Sequence, residues 1–240
     1  MKSLLKNTDM AVVEDRAVKT NKPVLLTGFQ DTGLIGVTAI GHIINALRME
    51  EVAYLKSRLI PTVKIIVGSE FRTLNPFRIY VTPSGDALAL INDSPTGFMG
   101  LSPFFVDIGE TLTEWFQKKD IRMVVALGSY LVQKTEKAGL VAYSTDTDMM
   151  KELTELDIKP LEQGFIGGLV VSIIDECIER NIPWMMVFAP TSRVGGMDLE
   201  GVRMIIEGVN KILKLNIETD SLKRMPTPQK KGVFGSLRKR

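Results

Sequence analysis

The chain has one histidine and one cysteine in 240 residues. A lone cysteine, Cys177, excludes an internal disulfide and fits a reducing, cytoplasmic setting. One residue of each type also excludes the usual structural zinc sites, which draw four ligands from these two. His42 is left as the sole imidazole for any Ser–His–Asp or Cys–His mechanism. It lies mid-helix among Ile40, Ile43 and Ile44 and reads as a polar or interfacial helix residue, while Cys177 in IIDECIE reads as a small core residue. No run of 18 apolar residues occurs, which argues against a membrane-spanning helix. The N-terminal stretch MKSLLKNTDMAVVEDRAV carries acids where a signal peptide needs an apolar segment.

A basic body or stripe is missing as well. The formal charge of +2 hides a division, because Glu218–Arg240 holds seven basic and two acidic residues. The rest of the chain is mildly acidic, so neither nucleic acid nor a membrane is an expected partner.

What is present is an alternation of strand-like and helix-like segments. Short apolar runs at 23–28, 52–56, 121–127 and 183–189 read as buried strands, with Glu50 and Glu51 marking the turn before the second. Helical spacing covers 33–49, 104–119, about 166–181 and 199–215. Segments 63–67, 78–82 and 87–91 are β-rich, and Pro83-Ser84-Gly85-Asp86 supplies turn chemistry between the last two. The expected fold is a three-layer α/β/α sandwich with a mostly parallel central sheet and an antiparallel hairpin extension. Residues 1–225 are expected to form a single domain, followed by a disordered basic tail over 226–240.

The stretch PVLLTGFQDTGLIGVTAIGHIINAL joins a strand to a helix through a glycine-rich turn. A P-loop needs a lysine and a hydroxyl after its last glycine, and Leu34 and Ile35 stand there instead. A dinucleotide fingerprint needs a first glycine where this chain has Asp31, a carboxylate facing any pyrophosphate. The simpler reading is close packing by Gly33 and Gly36, with Asp31 or Thr32 capping the helix. GFIGGLVVSIIDECIERN, 164–181, enters its helix in the same way, and close packing is again the simpler account. If both helices follow strands of one sheet, a pocket can form along the shared edge. Its candidate lining is Gly28, Asp31, Thr32, Gly33 and Gly36, with Gly128 and Ser129 after the third strand, and Gly164, Gly167 and Gly168. Asp146 and Asp148 have a DxD spacing suited to magnesium, although such residues before a helix more often cap it. No catalytic set, metal site or cofactor is assigned.

In the basic tail, Val233, Phe234 and Leu237 offer apolar anchors, and Arg238, Lys239 and Arg240 end the chain. These six are candidates for contact with an acidic groove of a partner.

Several segments, taken in order, resemble the proteasome assembly chaperone family, in particular its archaeal members. They are GFQDTGLIGVTAIGHIINAL followed by RMEEVAYLKS, then PFRIY, VVALGSY, LEQGFIGGLVVSIIDECIERNIPWMMVFAP and LNIETDSL, together covering most of 15–225. The resemblance implies a three-layer α/β/α fold and a homo- or hetero-oligomeric scaffold. It also implies binding to proteasome α-subunits or a related complex without a chemical reaction. Some archaeal relatives carry an ATP-grasp label, which these residues do not support. Certain members dock into the proteasome through a C-terminal hydrophobic–Tyr–any motif. This sequence ends Leu237-Arg238-Lys239-Arg240, so docking by that route is not expected. The alternative function is a small-molecule, possibly nucleotide-binding, protein or enzyme using the glycine-lined edge.

Overall fold

A computed structural model describes residues 9–67, 69–93, 102–133 and 138–223. The tail candidates Val233, Phe234, Leu237, Arg238, Lys239 and Arg240 lie outside the described residues. Eleven strands are seen among these: β1 Ala11–Glu14, β2 Val24–Gly28, β3 Glu50–Lys56, β4 Val63–Val67, β5 Glu70–Leu74, β6 Arg78–Val81, β7 Ala87–Ile91, β8 Met123–Leu131, β9 Val141–Tyr143, β10 Lys159–Pro160 and β11 Trp184–Thr191. The helices are α1 Ile35–Ala46, α2 Phe105–Lys118, α3 Thr147–Glu155, α4 Leu169–Glu179, α5 Leu199–Leu213 and the short α6 Asp220–Lys223.

Nine strands form one sheet in the order β1-β3-β6-β7-β2-β8-β11-β9-β10. Its centre, β7-β2-β8-β11, is parallel throughout. Every residue of β2 and β7 is buried, which explains their unbroken apolar runs: helices cover both faces, so no position can alternate to solvent. Antiparallel pairings flank this centre through β6–β7, β3–β6 and β1–β3 on one side and β9–β11 on the other. The expected layers are therefore present around a mixed sheet.

The two faces hold separate cores. One packs α1, α3 and α5 over Leu26, Ala89, Val125 and Val187. The other packs α2 and α4 over Leu25, Leu88, Val124 and Met186. Helix α1 shows what drives this arrangement. Its sequence, IGVTAIGHIINA, has two glycines and six β-branched residues, a poor intrinsic helix former. Burial of Ile35, Ile40, Ile43 and Ile44, at about 1.5–3 kcal/mol for each such side chain, outweighs that propensity deficit.

Several boundaries differ from the sequence expectation. Glu50 and Glu51 do not form a turn; they are the first residues of β3, and Arg48 in the left-handed region makes the reversal. Strand β8 does not stop at Leu127 but runs through Gly128 to Leu131, paired with β11 along its length. Helix α4 begins at Leu169 rather than near Ile166, leaving the glycine-rich stretch as loop. Strands β4 and β5 pair only with each other, as a hairpin separate from the main sheet.

Candidate functional site

The connections after β2 and β8 place a crevice between the two strand ends. Strand β2 leads into α1 on one face, and β7, the neighbour on its far side, returns through α2 on the other face to β8. Ligands of open α/β sheets gather at the carboxyl ends of the parallel strands, and the ends of the neighbours β2 and β8 frame this crevice. A cavity of about 700 Å³ lies there.

Its wall unites three of the predicted groups. Asp31 and Thr32 come from the first glycine turn, Gly128 and Ser129 from β8, and Gly164, Gly167 and Gly168 from the second. Gly28, Gly33 and Gly36 do not line it; they seat α1 behind it. A Cβ on Gly28 would stand 2.5 Å from the Gly36 carbonyl oxygen, and one on Gly36 would stand 2.5 Å from that of Leu127. Gly33 lies against the Thr191 hydroxyl, 3.0 Å from an added Cβ, and its own carbonyl accepts from Asp198 N–H at 2.9 Å.

The glycines of the second turn serve differently from the packing role expected of them. An added Cβ on Gly167 or Gly168 meets nothing within 4 Å, and one on Gly164 meets only Leu161 at 3.8 Å. Gly168 instead has φ of 87° and ψ of −170°, a conformation almost confined to glycine. The close helix contact lies on α2, where an added Cβ on Gly109 would stand 2.8 Å from the Ser172 carbonyl oxygen of α4.

Asp31 organises the first turn. Its Oδ1 accepts from the Ile35 N–H at 2.7 Å and its Oδ2 from the Gly36 N–H at 3.1 Å. The N-cap residue itself, Leu34, sits in the left-handed region at φ of 52° and offers no side-chain bond. The helix N–H groups that a phosphate would need are thus taken by the chain's own carboxylate. Burial raises the Asp31 pKa above the ordinary aspartate value, although the Gly36 and Ile35 N–H groups pull it down. The Ser129 hydroxyl also favours the ionised form, yet its buried Oγ makes no hydrogen bond of normal geometry.

The rest of the wall was not singled out in the sequence. Phe29, Phe105, Phe165, Phe188 and Tyr130 bring aromatic rings, and Leu131, Leu161 and Ile166 bring aliphatic surface. Phe165 is fully exposed at 108% and Leu131 is exposed at 61%. A signal for Phe165 existed: a large apolar residue inside GFIGG has few neighbours to bury it.

Other candidates resolve into structure. Asp146 caps α3, accepting from the N–H groups of Asp148 and Met149 at 2.9 and 3.1 Å. Among the described residues no three His, Cys, Asp or Glu side chains cluster to hold a metal. His42 Nε2 donates to the Glu218 carbonyl at 2.7 Å, tying α1 to the segment before α6. Cys177 is fully buried, and burial pushes its thiol up to about 12. No helix among the described residues is long and apolar enough to cross a membrane.

Residues 25–226 match the model of the PAC2 family. The chain belongs to the PAC2 family. A protein of unknown function from Thermoplasma acidophilum is 31% identical, with 85% of this chain and 81% of that one covered and a TM-score of 0.75. Two Pyrococcus furiosus proteins share the fold: PbaA, an archaeal homologue of proteasome-assembly chaperone, and PbaB, an archaeal proteasome activator. PbaA is 20% identical over 89% of this chain and 86% of its own, with a TM-score of 0.76. PbaB is 19% identical over 89% and 93%, with a TM-score of 0.75. The family resemblance read from the sequence and the α/β/α architecture both agree with these matches.

Proposed function

We propose that this PAC2 family member is a non-catalytic, oligomeric, chaperone-like scaffold of the cytoplasm that binds proteasome α-subunits or a related protein complex. The family match across 25–226 carries the reading, supported by fold neighbours described as a proteasome-assembly chaperone homologue and a proteasome activator. The surface is consistent with a protein binder. Ile66 and Phe71, opposite each other across the β4–β5 hairpin, are 76% and 69% exposed, an apolar pair of the kind that marks a protein contact. Of the sequence candidates for chemistry, Asp31 and Asp146 cap helices, and the Cys177 thiol is sealed in the core.

The test is capture from native lysate of an organism that encodes this chain, with mass spectrometry of what is retained. Proteasome α-subunits, or the subunits of one related complex, are expected at near-stoichiometric amounts. Capture should survive Asp31→Ala and fail on deleting 226–240, the tail that holds the apolar and basic anchors. Recovery of no protein partner would falsify the scaffold reading.

A further inference from the structure

The cavity at the ends of β2 and β8 has a one-sided chemistry. Among the described residues, four phenylalanines line it, no lysine, arginine or histidine does, and Asp31 is the one carboxylate. That carboxylate is half-buried and spends one acceptor position per oxygen on the α1 backbone. A carboxylate has about four such positions, so a ligand N–H can be added beside the α1 backbone or in place of the Ser129 hydroxyl. Beside it the Ser129 Oγ is buried without a hydrogen bond of normal geometry.

Each feature removes a ligand class. An anion would meet Asp31 with no basic group among the described wall residues to offset it, and the Ile35 and Gly36 N–H groups it would seek are already bonded. A purely apolar ligand would further dehydrate the carboxylate and leave the Ser129 hydroxyl unpaired, a cost that burial of hydrocarbon must first overcome. A cation on an apolar body meets neither objection. Its N–H groups can bond Asp31 and Ser129, and the aromatic faces favour both its hydrocarbon and its charge.

We propose that this cavity binds a small organic cation, an aryl- or alkylammonium, with Asp31 as counter-ion, Ser129 as second acceptor, and Phe29, Phe105, Phe165 and Phe188 around the apolar body. Phe165, exposed on a loop between Gly164 and the Gly167–Gly168 pair, is the side chain placed to fold over the occupant. The site is independent of protein-partner binding, and its failure leaves that reading intact.

Three probes of nearly equal shape test it: phenethylammonium, 2-phenylethanol and 3-phenylpropionate, each titrated into the full chain by calorimetry and by NMR. Phenethylammonium is expected to bind at least about tenfold tighter than the alcohol, with the propionate weakest. Its shifts should fall on residues 29–32, 128–131 and 163–168. Asp31→Asn should abolish the preference for the ammonium over the alcohol. Because Asp31 also caps α1, a second variant is needed: Phe165→Ala should weaken phenethylammonium several-fold without moving the melting temperature. Equal affinity for ammonium and alcohol, tightest binding of the propionate, or no ammonium binding at millimolar concentration in the unmodified chain each overturns the assignment.

Discussion

Gly28 and Gly36 face each other with no room for a methyl group, and the atoms an added Cβ would strike are main-chain oxygens of the sheet and helix. Backbone cannot rotate aside as a side chain can. Gly36→Ala is therefore expected to cost at least about 3 kcal/mol, or to prevent folding, in urea denaturation. Gly167→Ala, with open space around it, should stay within about 0.5 kcal/mol. Asp31 belongs to the same turn and gives a pH signature. Its pKa is raised in the folded chain, so as pH climbs the unfolded chain releases this proton first. Stability from this group is then lost between the unfolded and the folded pKa values, and the unmodified chain should lose ground to Asp31→Asn across that window. An NMR titration of the Asp31 carboxyl with its midpoint at or below the ordinary aspartate value would contradict this. Asp86 has the opposite sign. Hydroxyl hydrogen bonds from Ser84 and Thr82 hold its pKa down, so its contribution is present above the unfolded pKa and fades as pH falls through the folded one.

At the scale of elements, the helices end in an uncommon way. Arg48, Asp120, Asp157, Asn181 and Lys214 follow or close α1 to α5 in the left-handed region, at φ between 50° and 63°, and none is glycine. Side chains there cost roughly 1–2 kcal/mol, which glycine avoids. Lys214→Gly and Asp157→Gly are each expected to raise stability by about 0.5–1 kcal/mol, read as a higher urea midpoint. The start of α5 is the reverse case. Asp198 is buried and accepts from both the Gly201 N–H at 3.3 Å and the Thr191 hydroxyl at 2.7 Å. Asp198→Ala removes a cap and strands a buried hydroxyl, so a loss of about 2–3 kcal/mol is expected in the same assay.

These ends also explain what was legible in the sequence. Apolar periodicity located the long helices and the parallel strands, because burial on both faces writes itself as unbroken hydrophobic runs such as VLLTG and ALALI. Helix stops were legible to within three residues, the expected ends at 49, 119, 181 and 215 standing beside the observed Ala46, Lys118, Glu179 and Leu213. The short strands β9 and β10 join the sheet through tertiary pairing alone. The candidate site divides along the same line. Its glycines and Asp31 were readable as a turn, whereas Phe105 and Phe188 reach the cavity only because α2 and β11 are brought there by the fold.

For the whole molecule, the hairpin of β4 and β5 poses a question of supply and demand in buried surface. An isolated two-stranded hairpin is marginal in water, and this one pairs with no strand of the main sheet. Its outer face opposes Ile66 and Phe71 directly across the strands, 76% and 69% exposed, with the Lys64 ammonium 5.5 Å from the Phe71 ring. An arm built this way gains little from its own chain, and an oligomeric scaffold gives it a surface to cover. The double variant Ile66→Ser with Phe71→Ser removes apolar groups that the folded chain leaves in solvent, so its unfolding free energy at low protein concentration should stay within about 0.5 kcal/mol of the parent. Its assembly should not. Light scattering over a concentration series is expected to show the parent as an oligomer and the variant dissociating at higher concentration. A parent that remains monomeric throughout removes the oligomeric part of the proposed function. A variant that assembles as tightly as the parent instead places the contact between copies elsewhere on the molecule and leaves the arm free for another protein.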